Sequence, residues 1–116
     1  MNLMRLTYGN GTQIVRIEGE TAKRFTIRRY MSGEWFAKTA TISKTDDRIH
    51  AGFGQEELAY DLQARMRTRR DRLVVLRDAY TANNSLEWLA KAEDWLEQNT
   101  KDMAELSDHI ATLKKA

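Results

Sequence analysis

Cysteine and proline are both missing from this sequence. Without thiols there are no disulfides and no thiolate metal sites, and a reducing, cytoplasmic setting is expected. Without proline there are no stiff Pro-rich linkers, and long uninterrupted helices become easy to build. Long hydrophobic runs are absent too: no stretch approaches the roughly 20 apolar residues of a membrane span, and Met1 to Arg5 lead straight into a strand pattern with no apolar leader. A soluble protein of one domain is expected over residues 1–116, large enough for one core and too small for two.

Catalytic chemistry is thinly represented. The two histidines, His50 and His109, sit in no spacing that builds a metal pair or an acid–base dyad, and no phosphate-loop or dinucleotide pattern occurs. Asp46, Asp47 and His50 could be imagined as ligands, but acids at a hairpin turn are ordinary turn chemistry. Gly52-Phe53-Gly54 offers backbone N–H groups to an anion, with a tight strand-to-helix junction as the plainer use. The expectation is a non-enzymatic binding protein with no cofactor and no metal.

The net charge of +2 is unevenly spread. Residues 1–54 hold nine Lys/Arg against five Asp/Glu, residues 55–81 six against five, and residues 82–116 four against seven. The basic half alternates apolar and polar residues with period two and reads as a β meander. Strands are expected near 2–8, 13–18, 23–30 and 35–42, with a fifth at 48–53. Asn10-Gly11 is the expected first turn, which would set Arg5 opposite Arg16, and Ser32-Gly33 the second. Met4, Leu6, Val15, Ile17, Phe25, Ile27, Phe36, Ala40 and Ile42 then form one apolar face, expected to be the core against the helices. The other face collects Arg5, Arg16, Arg24, Arg28, Tyr30 and Trp35.

From Gln55 the period changes to about 3.5. Ala59, Leu62, Met66, Arg69, Leu73, Leu76 and Tyr80 form one seam, and Leu89, Ala92, Leu96, Asn99, Met103, Leu106, Ile110 and Leu113 a second. The break at 81–84, followed by Ser85 as N-cap, predicts an antiparallel helical hairpin. The fold expected is therefore α+β: a four- to five-stranded antiparallel meander (1–54) packed on a long two-helix hairpin (55–116). Helices on the order of 40 Å outreach strands of about 20–27 Å, so part of the hairpin stays uncovered. Val74, Val75, Trp88 and Trp95 lie in that part as an oligomer or protein interface, and a homodimeric four-helix bundle competes with simple packing on the sheet. Arg65, Arg67, Arg69, Arg70, Arg72 and Arg77 wrap the first helix, where ion pairs to Glu93, Asp94 and Glu97 are the plain expectation.

Arginines interleaved with Tyr30 and Trp35 on an open sheet suit nucleic acid, through guanidinium–phosphate pairing and ring stacking. The same residue types dominate protein interface hot spots, so an acidic protein surface is the alternative partner. In that case the chain would be a small inhibitor or adaptor of the kind that phage and mobile-element genomes encode. Gly33-Glu34-Trp35-Phe36-Ala37, Arg48-Ile49-His50-Ala51-Gly52-Phe53 and Glu56-Glu57-Leu58-Ala59-Tyr60-Asp61 together resemble the three strands and helix of AP2-type and integrase-arm-type DNA-binding domains. That resemblance, over residues 24–64, implies a sheet lying on DNA with Arg24, Arg28 and Trp35 reading it.

Overall fold

The computed structural model describes residues 1–115. Six strands come first: β1 (Leu3–Tyr8), β2 (Gly11–Glu20), β3 (Arg24–Met31), β4 (Glu34–Trp35), β5 (Ala40–Ser43) and β6 (Ile49–His50). Two helices follow, α1 (Gln55–Ala82) and α2 (Leu86–Lys114). All strand pairs are antiparallel; β4 and β5 share one edge of β3, and β2, β1 and β6 follow on the other side. This is the expected α+β architecture, a meander joined to an antiparallel helical hairpin.

The first turn is Gly9-Asn10 rather than Asn10-Gly11. Tyr8 pairs with Gly11, and Gly9 takes a φ of +49°, the left-handed start that suits a two-residue hairpin loop. Arg5 is consequently opposite Ile14, not Arg16. The slip is two positions, so every β1 and β2 side chain keeps its expected face. The expected fourth strand is broken at 36–39, separating β4 from β5, and the extra residues swing Phe36 out of the core into solvent.

The sheet is strongly curled. β5 and β6 lie at opposite edges, about 19 Å apart if the sheet were flat, yet only Lys44–Arg48 joins them. That connection is folded by two turns, with Asp46 N–H donating to Ser43 O (3.1 Å) and Ile49 N–H to Asp46 O (3.2 Å). It cannot cross a flat sheet, so the edges are drawn together. The curl closes the apolar face on itself: Met4, Leu6, Val15, Ile27 and Ile42 form one buried cluster, sealed by Tyr8, Ile17, Phe25, Ala40 and Ile49.

The helices therefore take the other face, reversing the expected packing. A second cluster joins Leu3, Ile14 and Tyr30 of the sheet to Leu58, Ala59, Leu62, Met66, Leu106 and Ile110 of the hairpin. Polar ties hold the same interface. The Gln55 side chain accepts from Leu3 N–H (2.7 Å) and donates to Leu3 O (2.8 Å), and Arg65 donates to Thr12 O (2.9 Å) and Thr12 Oγ1 (2.8 Å).

Between the helices, Asn99 Nδ2 donates to Met66 O (3.1 Å), fixing the seam register. The connection is a Schellman turn: Asn84 is left-handed (φ 55°), Ser85 N–H bonds Tyr80 O and Asn84 N–H bonds Thr81 O. Ser85 occupies the N-cap position of α2, but its hydroxyl makes no capping bond.

Candidate functional site

Of the arginines expected on an open sheet face, Arg5 and Arg16 are instead drawn into the sheet–helix junction. Arg5 donates to Asp61 Oδ2 of α1 (2.6 Å) and lies 4.0 Å above the Phe53 ring. Arg16 pairs directly across the ladder with Arg28. Like charges so placed repel unless an anion spans them, and that anion belongs to the chain. A bulge between Ile17 and Gly19 leaves Glu18 outside the ladder pairing, where its carboxylate accepts from Arg16 Nε and Nη2 (3.0 and 2.8 Å) and from Arg28 Nε and Nη2 (2.7 and 3.1 Å). Arg16 also reaches Glu105 of α2 (3.2 Å), and Arg28 donates to the carbonyls of Phe36 and Ala37, freed where the edge strand breaks.

The Arg28 bond, aided by Arg16, holds the Glu18 carboxyl at about 2, well below its ordinary 4.5. A depressed carboxylate stabilises the fold fully above pH 4.5, and the contribution disappears as pH falls through about 2. The Glu18 side chain is 27% exposed, so solvent screening reduces its worth to about 1–2 kcal/mol. Glu18→Gln should lose that amount in urea melts at pH 7, and the gap to wild type should narrow below pH 4.5. A gap independent of pH would mean that the charge is not what holds the pair.

Tyr30 is only 6% exposed; its hydroxyl donates to Gly33 O (3.0 Å), and its ring meets Trp35 edge-on at 5.2 Å. Trp35 is half-buried against the sheet–helix cluster, with the Arg16 guanidinium 4.8 Å from its ring centroid. Tyr30 thus presents no open face for stacking on a base. Of the six residues, only Arg24 is exposed and, among the described residues, in no ion pair. The open basic and aromatic face is thus corrected: Arg5, Arg16, Arg28, Tyr30 and Trp35 are occupied with the chain itself.

The expected interhelical ion pairs do not form either. Among the described residues, Arg67, Arg69, Arg70 and Arg72 have no carboxylate within salt-bridge distance. Arg70 donates instead to Thr100 Oγ1 (2.9 Å), and Arg69 lies 5.8 Å over Trp95. Residues 65–77 hold six arginines against one carboxylate, Asp71. Arg65, Arg69 and Arg72 fall at i, i+4 and i+7, one stripe of α1. With Thr68 they line a cleft of about 530 Å³ whose other wall is Tyr30, Ser32 and Gly33 of the β3–β4 turn. Arg65 is paired with Asp61 (3.4 Å); the sequence contained this signal as the arginine run, and what it concealed was that Arg69 and Arg72 lack carboxylate partners among the described residues.

At the hairpin tip the candidate interface residues divide. Val75 is 67% and Trp88 48% exposed, and Leu86, which the sequence reading passed over, is 67% exposed. Val74 is half-buried, and Trp95 is roofed by Arg69. Trp88 sits between Tyr80 (6.1 Å) and Lys91 (4.4 Å).

His50 packs edge-on to Phe53, and burial lowers the pKa of His109. Among the described residues no three His, Cys, Asp or Glu side chains converge on a metal-sized point, and no helix is long and apolar enough to cross a membrane. Set against protein-family models, curated proteins and solved structures, the chain matches none.

Proposed function

We propose that the protein is a non-enzymatic binding protein whose ligand is nucleic acid, held at the arginine stripe of α1 and not on the sheet. The observation that supports this reading is that Arg69 and Arg72, without carboxylate partners among the described residues, stand beside a cleft of about 530 Å³, with Arg65, paired to Asp61 (3.4 Å), completing the stripe. Guanidinium matches phosphate in bidentate geometry, and an arginine held in place without an internal anion gives up no ion pair when it binds one. The cleft wall adds the Ser32 hydroxyl as a further donor.

Fluorescence anisotropy of labelled single- and double-stranded DNA and RNA, at two salt concentrations, tests this. Affinity should fall log-linearly with salt. Arg72→Glu should weaken binding about tenfold and reduce the salt slope by about 1–2, as expected for a lost phosphate contact and an added repulsion. Arg24→Glu, at the end of β3 opposite the β3–β4 turn, should bind as wild type. Absence of binding at low salt, or an unaffected Arg72→Glu variant, overturns the assignment.

One observation favours a second reading, a protein partner at the hairpin tip: three large apolar side chains, Val75, Leu86 and Trp88, are exposed beyond the sheet. A partner docked there, including a second copy of the chain, would respond weakly to salt and would be lost in Val75→Asp. Sedimentation of the protein alone separates the self-associating case from an external partner.

A further inference from the structure

A second cleft, on the other side of the β3–β4 turn from the arginine stripe, has the opposite character. It lies between the β4 region (Glu34, Trp35, Phe36) and the α2 stripe Gln98, Asp102 and Glu105, with Arg16 and Arg28 at its floor, and measures about 420 Å³. The two arginines are already engaged by Glu18, and Arg16 by Glu105 as well. Glu34 and Asp102 are left without a cationic partner among the described residues. Asp102 is only 6% exposed and takes a single hydrogen bond, from Gln98 Nε2 to its Oδ1 (3.0 Å).

An independent feature points to the same place. Asn99 is 2% exposed, and its Oδ1 is a buried acceptor with no donor. The amide orientation is fixed, because Nδ2 donates to Met66 O and the reverse orientation would set two carbonyl oxygens against each other. Asn99 borders a small inner space of about 10 Å³ that shares Glu34, Gln98 and Asp102 with the larger cleft and is closed by Gly33, Arg69 and Trp95. That volume admits one water-sized group. Arg69 does not serve the carboxylates: it leans on Gly33, lies over Trp95 and makes no ion pair with Glu34 or Asp102.

We propose that this cleft binds a primary ammonium group, its head seated in the inner space against Asn99 Oδ1, Asp102 and Glu34 and its alkyl stem lying along Trp35 and Phe36. The chemistry selects this class. An ammonium carries three donors, one for each waiting acceptor, and one positive charge for a surplus of carboxylate. A guanidinium is too broad for a space of one water, and no three acidic or histidine ligands converge closely enough for a metal ion. A neutral water would supply hydrogen bonds but leave the buried carboxylate charge unmatched. Burial raises the Asp102 pKa, the Gln98 hydrogen bond and Arg16 opposing it and the Glu105 and Glu34 carboxylates adding to it, so ammonium binding should strengthen with rising pH as Asp102 ionises. This site goes beyond the nucleic-acid reading.

The experiment is a titration of the full chain with n-butylammonium, followed by the NMR signals of the Asn99 and Gln98 side-chain amides, with n-butanol as the neutral probe of like length. Saturable shifts are expected, with a Kd on the order of millimolar for a ligand of five heavy atoms. Asp102→Asn, which removes an unmatched buried charge and keeps the shape, should fold at least as stably and bind at least tenfold more weakly. Arg72→Glu should bind the amine as wild type. An acetylated peptide carrying one lysine, compared with its norleucine analogue, identifies the source: tighter binding than butylammonium assigns the ammonium to a protein side chain, and equal binding to a free amine. No saturation, equal response to n-butanol, or undiminished binding by Asp102→Asn overturns the proposal and leaves the inner space to water.

Discussion

Leu62→Ala should destabilise the protein by about 4–5 kcal/mol. Leu62 is fully buried where three surfaces meet: Leu3 and Ile14 of the sheet, the α1 seam, and Leu106 and Ile110 of α2. Removing its isobutyl group withdraws apolar contact from all three, and the helices cannot close the gap freely. Their register is held by the Asn99–Met66 bond, and their position over the sheet by Gln55 on Leu3 and Arg65 on Thr12. A site that cannot collapse falls at the upper end of the range for leucine truncation. Urea unfolding followed both by far-ultraviolet circular dichroism and by tryptophan fluorescence should shift as one transition, because the sheet and hairpin share this cluster. Leu6→Ala makes the matching comparison inside the curled sheet, where Met4, Val15, Ile27 and Ile42 surround it. If Leu62→Ala cost under 1 kcal/mol while Leu6→Ala cost the usual 2–5, the sheet would be stable without the hairpin and the helix interface would be secondary.

Both helices and the strands, apart from the break that divides the expected fourth strand into β4 and β5, were legible because their signal is local. Period two over residues 2–31 and period 3.5 from Gln55 each follow from the geometry of one element. The inward sets Met4, Leu6, Val15, Ile17 and Phe25, Ile27, Ala40, Ile42 also emerged intact, since the β1–β2 slip and the shift that sets Phe25 opposite Ile42 instead of Ala40 are each of two residues, which preserves faces. The face that receives the helices is not a local property. It depends on the curl, and the curl depends on how few residues separate β5 from β6. Two clues were present: Leu3 and Ile14 stood among the nominally outward residues, and the connection of five residues was short. Both mean that the meander has two apolar faces, one closed on itself and one needing the hairpin.

The candidate site was misread for a related reason. Alternation can place Arg16 and Arg28 on a surface, but it cannot reveal that Glu18, displaced by a bulge, lies between them. The arginines of α1 were assigned partners by sequence proximity to an acidic helix. In three dimensions Arg70 meets Thr100 and Arg69 meets Trp95, while Glu93 and Asp94 stay out of reach. Partners are fixed by where a side chain ends, which depends on rotamer and helix rotation as much as on register.

Gly33→Ala should cost about 2–3 kcal/mol and alter both clefts at once. The β3–β4 connection is a two-residue turn, with Met31 paired to Glu34 and both central residues left-handed, Ser32 at φ 55° and Gly33 at φ 82°. An alanine held there costs about 1–2 kcal/mol from its Cβ against the backbone. The rest comes from Arg69, whose Cγ, Cδ and Nε occupy the position that the new Cβ would take. Either the turn lifts away from α1 or Arg69 leaves the face of Trp95, a cation–π contact worth about 0.5–1 kcal/mol. A double-mutant cycle with Arg69→Ala separates the terms: without the guanidinium stem the steric part should vanish and the backbone part remain, giving a coupling of about 1 kcal/mol. Zero coupling would show that the turn moves independently of α1. Because Gly33 borders both the arginine cleft and the small acceptor-lined space beside Asn99, the variant should weaken polyanion and ammonium binding together, which neither Arg72→Glu nor Asp102→Asn should do alone.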